Sequence, residues 1–249
     1  MKKTITAIII LTIAIFASNA NADITISDAN KNKDGNTLFQ LFNSYFDTTF
    51  TSSNELYNAH GVDSNTEWIT NGTQLVGAFK VAALGHELTM VDQFNNTLAT
   101  IANVNGTTNI HSANGITDLS GSMVADIADG QQVNFNLTTS GGANYTWSSD
   151  ANQNKDGMVH MIALDVTDLY NAKYGTDNAT VYMFGWEDLP KGHSYVDWDY
   201  QDFVVIMTNL NVPTMDSSST NATPEPATML MIGLGFAGAG FVARRNGKK

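Results

Sequence analysis

Alternation of apolar and polar residues dominates the middle of this chain. Val133, Phe135 and Leu137 alternate with Asn134 and Asn136, the period-two signature of a strand with one buried face. Short apolar segments recur at 75–82, 87–91, 98–104, 123–127, 158–166, 180–184 and 203–209, separated by Gly- and Asn-rich breaks, and 23–26 reads as an edge strand. Trp68, Ile69 and Thr70 run into Asn71-Gly72, a dipeptide that favours the tight turn of a hairpin. One segment departs from the pattern. Leu38, Leu41, Phe42, Tyr45 and Phe46 fall at i, i+3, i+4, i+7 and i+8, behind Asn36 or Thr37 as N-cap, and predict a helix over 37–46 packed on a sheet. Short strands at roughly ten-residue spacing predict an all-β domain, β-sandwich or jelly-roll-like, with one short N-terminal helix.

The two ends follow other rules. Lys2 and Lys3 precede an uncharged apolar run at 5–17, and Ala20-Asn21-Ala22 places small residues at Ala20 and Ala22, the pattern of a cleaved signal peptide. This predicts a signal peptide at 1–22, removed by signal peptidase, and an exported domain at 23–213. A polar Ser/Thr/Asn-rich linker at 214–223 leads to Pro224-Glu225-Pro226, then to a Gly-containing apolar run at 227–243 and a basic end holding Arg244 and Arg245. The run is close to the lower length limit for a membrane helix, and its basic flank predicts a cytoplasmic end.

This tail resembles the PEP-CTERM sorting signal of Gram-negative bacteria, which consists of a Pro-Glu-Pro motif, one transmembrane helix and an Arg-rich end. The resemblance covers residues 224–249. It implies an inner-membrane precursor cut by an exosortase at or near Pro224, Glu225 and Pro226, and delivery to the cell surface or the exopolysaccharide matrix.

Charge narrows the partners. The chain has 12 Lys and Arg against 24 Asp and Glu, a formal charge of −12. Both arginines and four of the lysines lie in the two end segments, so the exported domain is more acidic still. A nucleic-acid partner is excluded on electrostatic grounds. Cys is absent, so no disulfide staples the fold.

The acid is concentrated. Glu187 and Asp188 follow one apolar segment, and Asp197, Asp199 and Asp202 precede the next. Adjacent strand ends would bring all five together, where they need solvent, hydrogen bonds or a hard cation such as Ca²⁺. An Asx-rich nonapeptide occurs twice, at 27–35 and 149–157, with eight of nine positions identical. Asn30, Asn32, Asp34 and Gly35, and again Asn152, Asn154, Asp156 and Gly157, give the front half of a calcium loop. Leu41 and Ala163 stand where an EF-hand needs its Glu, which excludes an intact EF-hand. The candidate metal ligands are therefore Glu187, Asp188, Asp197, Asp199 and Asp202, completed by Asn152, Asn154 and Asp156. A solvated acidic loop and a plain polar turn are the alternatives. His160, in an apolar run, reads as a hydrogen-bonded core residue.

The stretch 185–205, together with Asn154, Asp156, Gly157 and His160, resembles the Gly-Phe-Glu-Asp … Asp-x-Asp-Tyr-Asn-Asp pattern of a surface domain of unknown function common in PEP-CTERM proteins. Trp186 and Gln201 depart from that pattern, and neither departure removes a carboxylate. Catalytic patterns are thin: His86-Glu87 lacks a second His at Met90, and there is neither a Gly-x-Ser-x-Gly elbow nor a Cys nucleophile. The expectation is a non-enzymatic surface or matrix module stabilised by Ca²⁺. The alternatives are a calcium-dependent glycan-binding adhesin, with Trp198 and Tyr200 exposed beside the metal and extracellular polysaccharide as partner, or a matrix polysaccharide hydrolase.

Overall fold

The computed structural model describes residues 24–28, 36–63, 67–80, 83–104, 116–123, 127–142, 144–177 and 180–212. The leader, the first Asx turn with Asn30, Asn32 and Asp34, and the whole tail lie outside them, and so do both segments expected to enter a membrane. Among the described residues no helix is long and apolar enough to cross one.

The chain is mostly antiparallel β. Ten strands are described: β1 (Gly61–Val62), β2 (Trp68–Lys80), β3 (Gly85–Val91), β4 (Thr97–Val104), β5 (Thr117–Met123), β6 (Gln132–Ser140), β7 (Thr146–Ser148), β8 (Met161–Asp165), β9 (Val181–Trp186) and β10 (Phe203–Asn211). They run in the order β1-β8-β9-β10-β2-β6-β3-β4, with β5 beside β2 and β7 beside β6. The contact of β2 with β6 lasts only two residue pairs, Trp68 with Val133 and Ile69 with Gln132. It divides a larger sheet, centred on β9, β10 and β2, from a smaller one of β4, β3, β6 and β7.

Side-chain alternation explains why the central strands are apolar throughout. Tyr182, Phe184 and Trp186 of β9 and Phe203, Val205 and Met207 of β10 join Leu88, Phe135, Leu137 and Trp147 in a core shared by both sheets. The intervening Val181, Met183, Val204 and Ile206 join a second core with the helices. Both faces of the larger sheet are covered, so each strand reads as a continuous hydrophobic run.

Three helices are described where the sequence predicts one. Helix α1 (Leu38–Phe46) is the expected one: Leu38, Leu41, Phe42, Tyr45 and Phe46 are all buried, and Thr37 N–H donates to Gln40 Oε1 at 2.9 Å. Helix α2 (Ser53–His60) is capped by Ser52, whose hydroxyl accepts from Glu55 N–H, and inserts Leu56 into the second core. Helix α3 (Thr167–Tyr174) buries no residue, so its sequence carries no amphipathic period.

Two strand expectations are corrected. Asn71-Gly72 does not end a hairpin but lies inside the 13-residue β2. Register passes from Thr208 opposite Gln74 to Leu210 opposite Thr70, so residues 71–73 bulge against the single residue Asn209. Gly72 (φ 69°) and Asn209 (φ 59°) are both left-handed, and Asn209 Nδ2 donates to Gly72 O at 3.1 Å. A strand forms at Thr117–Met123, and residues 124–126 of the one expected at 123–127 lie outside the described residues. Residues 24–28 form no strand; Ile26 is held by Asn54 and Ser27 N–H donates to Trp198 O.

Candidate metal centre

The loop from β9 to β10 folds onto the end of the central sheet because the strands on either side of it are adjacent. Phe203 pairs with Trp186, so Glu187 and Asp202 leave the sheet side by side. The loop then packs close enough that its backbone meets β9: a Cβ on Gly185 would stand 2.5 Å from Tyr200 O. Gly185 is required there by close approach, whatever its conformational freedom. Trp198 (φ 57°) and Tyr200 (φ 56°) take left-handed backbone on either side of Asp199, an arrangement rarely populated by aromatic residues and found where a side chain is being held in place.

Three carboxylates converge. Glu187, Asp199 and Asp202 each place one oxygen within 4.8 Å of the other two. Each is also anchored by backbone or amide donors. Glu187 Oε1 accepts from Leu189 N–H at 3.1 Å, and Oε2 from Trp198 N–H at 2.8 Å. Asp199 accepts from Gln201 N–H at 3.2 Å and from Gln201 Nε2 at 2.7 Å, while Asp202 Oδ2 accepts from Asp188 N–H at 3.1 Å. The Gln201 amide that donates to Asp199 leaves its own Oε1 buried and without a partner.

These acids are hard to ionise where they sit. Burial pushes Glu187 up to about 8, helped by the charges of Asp188 and Asp197 against the two backbone donors. Burial, then Asp197, takes Asp199 up to about 7. Asp202 is raised well above the carboxylate range by burial and by Asp188, Glu187 and Asp199. The nearby Lys80, itself fully buried, is pushed down by burial and partly held up by Asp188 and Asp202.

The other expected ligands stand elsewhere. Asp188 turns towards the smaller sheet, with Oδ2 2.8 Å from His86 Nε2. Asp197 is buried, and its charge acts on Glu187 and Asp199. In the Asx turn, Asn152 is exposed and bonds to Asp150, while Asn154 is buried and ties Ser148 N–H, Ser148 O and Met158 O. Asp156 accepts from Lys191 N–H at 2.9 Å and faces His160 Nε2 at 3.0 Å. His160 Nδ1 in turn lies 2.9 Å from Glu187 O, and the ring stacks on Trp147 with centroids 3.7 Å apart and planes 5° apart. The turn therefore braces the acidic loop through His160 and contributes no oxygen to the cluster of three.

His160 is the buried, hydrogen-bonded residue that the sequence predicts. Tyr200 is not exposed: it is 4% accessible and donates its hydroxyl to Val159 O at 2.9 Å. Trp198 is half-buried, so the aromatic platform expected beside the metal is not formed as foreseen. Sequence reasoning missed Lys80, His86 and Gln201. Lys80 carried a signal, as the lone basic residue between Lys33 and Lys155, set inside an apolar run.

Comparison with known proteins places the tail. Residues 222–246 match the PEP-CTERM protein-sorting motif. No curated protein matches the chain. Among solved structures, the C-terminal domain of BC2L-C lectin from Burkholderia cenocepacia is similar over 59% of this chain and 96% of that one, at 14% identity and a TM-score of 0.31. At that level the likeness bears on no residue of the site. The chain thus carries a PEP-CTERM sorting motif, which implies export in a Gram-negative bacterium through a membrane-anchored precursor that an exosortase processes.

Proposed function

We propose that the exported domain is a non-enzymatic surface or matrix module whose last two strands are locked by one Ca²⁺ ion held by Glu187, Asp199 and Asp202. The observation that carries this reading is the convergence of three carboxylate oxygens, two from buried residues and one from the half-buried Asp202, all within 4.8 Å of one another. Two oxygens on opposite sides of a Ca²⁺ ion with bonds of about 2.4 Å are about 4.8 Å apart, so oxygens that all lie within that distance can share one ion. The second support is the unpartnered Gln201 Oε1, a neutral hard oxygen on the side chain that already binds Asp199. All candidate donors are oxygens, which favours Ca²⁺ over softer metals.

The role of the ion is mechanical. It neutralises charge that would otherwise push the ends of β9 and β10 apart, and export brings the domain to an environment where a weak, millimolar-class site fills.

Calorimetry of the purified protein with Ca²⁺, with Mg²⁺ and after EDTA tests this reading. Ca²⁺ should bind at one site and raise the melting temperature, with Mg²⁺ much weaker. No heat of binding and no shift in melting would overturn it.

A further inference from the structure

The end of α2, β1, the end of β8, the first turn of α3 and the residue before β9 line an open cavity of about 550 Å³, within the size range of small-ligand sites. His60, Val62, Asp165, Asp168, Leu169 and Thr180 form much of its wall, and no Lys or Arg stands among its described lining residues. Thr180 precedes β9 and Glu187 follows it, so the length of a six-residue strand, about 17–20 Å, separates the cavity from the cluster of three. The His60 ring packs on Phe42 and Phe50, with centroids 5.5 and 5.6 Å away. Val62 and Leu169 are partly buried and give the wall apolar surface.

The side-chain donors of this wall are spent on the protein itself. His60 Nδ1 lies 3.0 Å from Asp165 O, and a carbonyl only accepts, so Nδ1 carries the hydrogen. Thr180 donates its hydroxyl to Asn211 Oδ1 at 3.4 Å, and Thr167 donates its own to Val181 O at 3.4 Å. What remains accepts. In the neutral ring His60 Nε2 offers a lone pair, and the Thr180 oxygen keeps its own. Asp165 uses Oδ1 on Thr167 N–H at 3.0 Å, which leaves Oδ2. Asp168 stands exposed in the first turn of α3, where its charge already suits the positive end of the helix.

A wall of acceptors with two carboxylates and no cation selects a ligand that donates hydrogen bonds and is positive. Its size and its apolar surface call for more than a bare amine. We propose that this cavity binds a saccharide bearing a free amino group. The ammonium pairs with Asp165 and Asp168, ring hydroxyls donate to His60 Nε2 and Thr180, and the apolar face of the ring meets Val62 and Leu169. The chain's own charge of −12 draws such a ligand in. An acidic sugar is repelled, and an N-acetylated one lacks the charge. The cavity shares no residue with Glu187, Asp199 and Asp202, so the proposal does not depend on the calcium reading.

Titration calorimetry of the full protein purified after export tests it, with a glucosamine trimer, its N-acetylated counterpart and a short alkyl diamine, each in Ca²⁺ and in EDTA. The glucosamine trimer should bind at one site, equally in both buffers, and at least about tenfold more tightly than the other two. Asp168→Asn should weaken it at least severalfold while the protein still melts cooperatively. Asp129→Asn, which removes an exposed acid outside the cavity, should leave the affinity unchanged. No binding of the glucosamine trimer would overturn the proposal, as would equal binding of its N-acetylated form. Equal weakening by Asp129→Asn would show diffuse charge attraction and no site. A diamine that binds as tightly would overturn the saccharide, and binding that requires Ca²⁺ would move the ligand away from this cavity.

Discussion

Six buried or half-buried carboxylates lie at one end of this domain, and all but Asp197 divide by what they face. Asp156 and Asp188 each face an imidazole, at 3.0 and 2.8 Å. Glu187, Asp199 and Asp202 face one another. For Asp156, burial works against ionisation, but the Lys191 N–H, the His160 ring and the Met158 N–H outweigh it and hold the carboxyl below its ordinary range. For Glu187 and Asp199, comparable donors do not suffice, and burial with like charge lifts them to about 8 and about 7. Backbone donors alone do not decide the outcome: Asp156 is only half-buried and faces an imidazole, whereas Glu187 and Asp199 are buried and face like charges, so the cluster of three is left to be neutralised by protons or by an added cation.

The largest effect should come from removing a partner of the paired class. His160 lies between the Glu187 carbonyl and the Asp156 carboxylate, with ring nitrogens 2.9 and 3.0 Å from them. His160→Ala strips the ring stacked on Trp147 and leaves a half-buried carboxyl and a buried carbonyl without their partner. Emptying the space of a fully buried aromatic side chain costs about 3–5 kcal/mol, which corresponds to a fall in melting temperature on the order of 10 °C for a domain of this size. Thermal unfolding followed by circular dichroism checks it. A variant that melts within a degree or two of wild type would mean that the turn does not brace the loop.

Supplying the missing cation to the cluster of three should have the next largest effect. At a free Ca²⁺ concentration about 100 times the dissociation constant, one site stabilises the fold by about 2.7 kcal/mol. Denaturant titrations with Ca²⁺ and with EDTA should differ by about that amount, with an unchanged slope. In Glu187→Gln the calcium increment should vanish, while the fold in EDTA becomes no less stable, because one member of a repelling cluster is gone.

What could be read from the sequence follows the same division. The like-charge cluster was legible because its members are local: five acids in one loop between apolar runs must be reconciled somehow. β9 and β10 were legible as buried strands because both of their faces are covered, and α1 because Leu38, Leu41 and Phe42 keep a helical period. The partner of Asp188 was not legible, since His86 reaches it only through the pairing of strands distant in sequence. Helix α3 was hidden because it buries no residue fully, with Leu169 and Tyr170 only partly covered, and Asn71-Gly72 misled because a left-handed glycine serves a bulge as well as a turn. Asn152, Asn154 and Asp156 carried the right residue types for a metal loop, but their oxygens are tied up in the turn and in holding His160.

Acidity sharpens the contrast further. In EDTA, a carboxyl raised to about 7 or 8 in the fold but with an ordinary value near 4 when unfolded (about 4.3 for Glu and 3.9 for Asp) binds more protons folded than unfolded between those values. Its contribution is therefore fully present at low pH and is lost as the pH rises through the folded value. The calcium-free protein should melt at a higher temperature near pH 5 than near pH 8. Asp156 works in the other direction, with a contribution lost only as the pH falls below the ordinary carboxylate range. Ca²⁺ competes with the protons on the cluster of three, so the decline towards pH 8 should disappear when it is added. Melting curves at the two pH values, each with Ca²⁺ and EDTA, give all four numbers, and equal slopes in both conditions would separate the ion from the cluster.

The smallest effect, and the finest discrimination, belongs to Gln201. Its Nε2 donates to Asp199 Oδ2 at 2.7 Å, and its Oε1 is a buried acceptor that meets no donor. If the ion sits among the three carboxylates, Oε1 is the neutral oxygen available to it, and Gln201→Leu removes that oxygen while roughly keeping the volume. Loss of one such polar contact is worth about 1 kcal/mol, or about a fivefold weaker Ca²⁺ affinity by titration calorimetry. Without calcium the substitution acts oppositely on the two halves of the amide: Asp199 loses a donor, which costs stability, while an unsatisfied buried acceptor is removed, which restores some. The fold in EDTA should thus change by less than its calcium affinity does. A variant that loses stability in EDTA but binds Ca²⁺ as tightly as wild type would make Gln201 a positioning residue for Asp199 alone and leave the ion held by the three carboxylates.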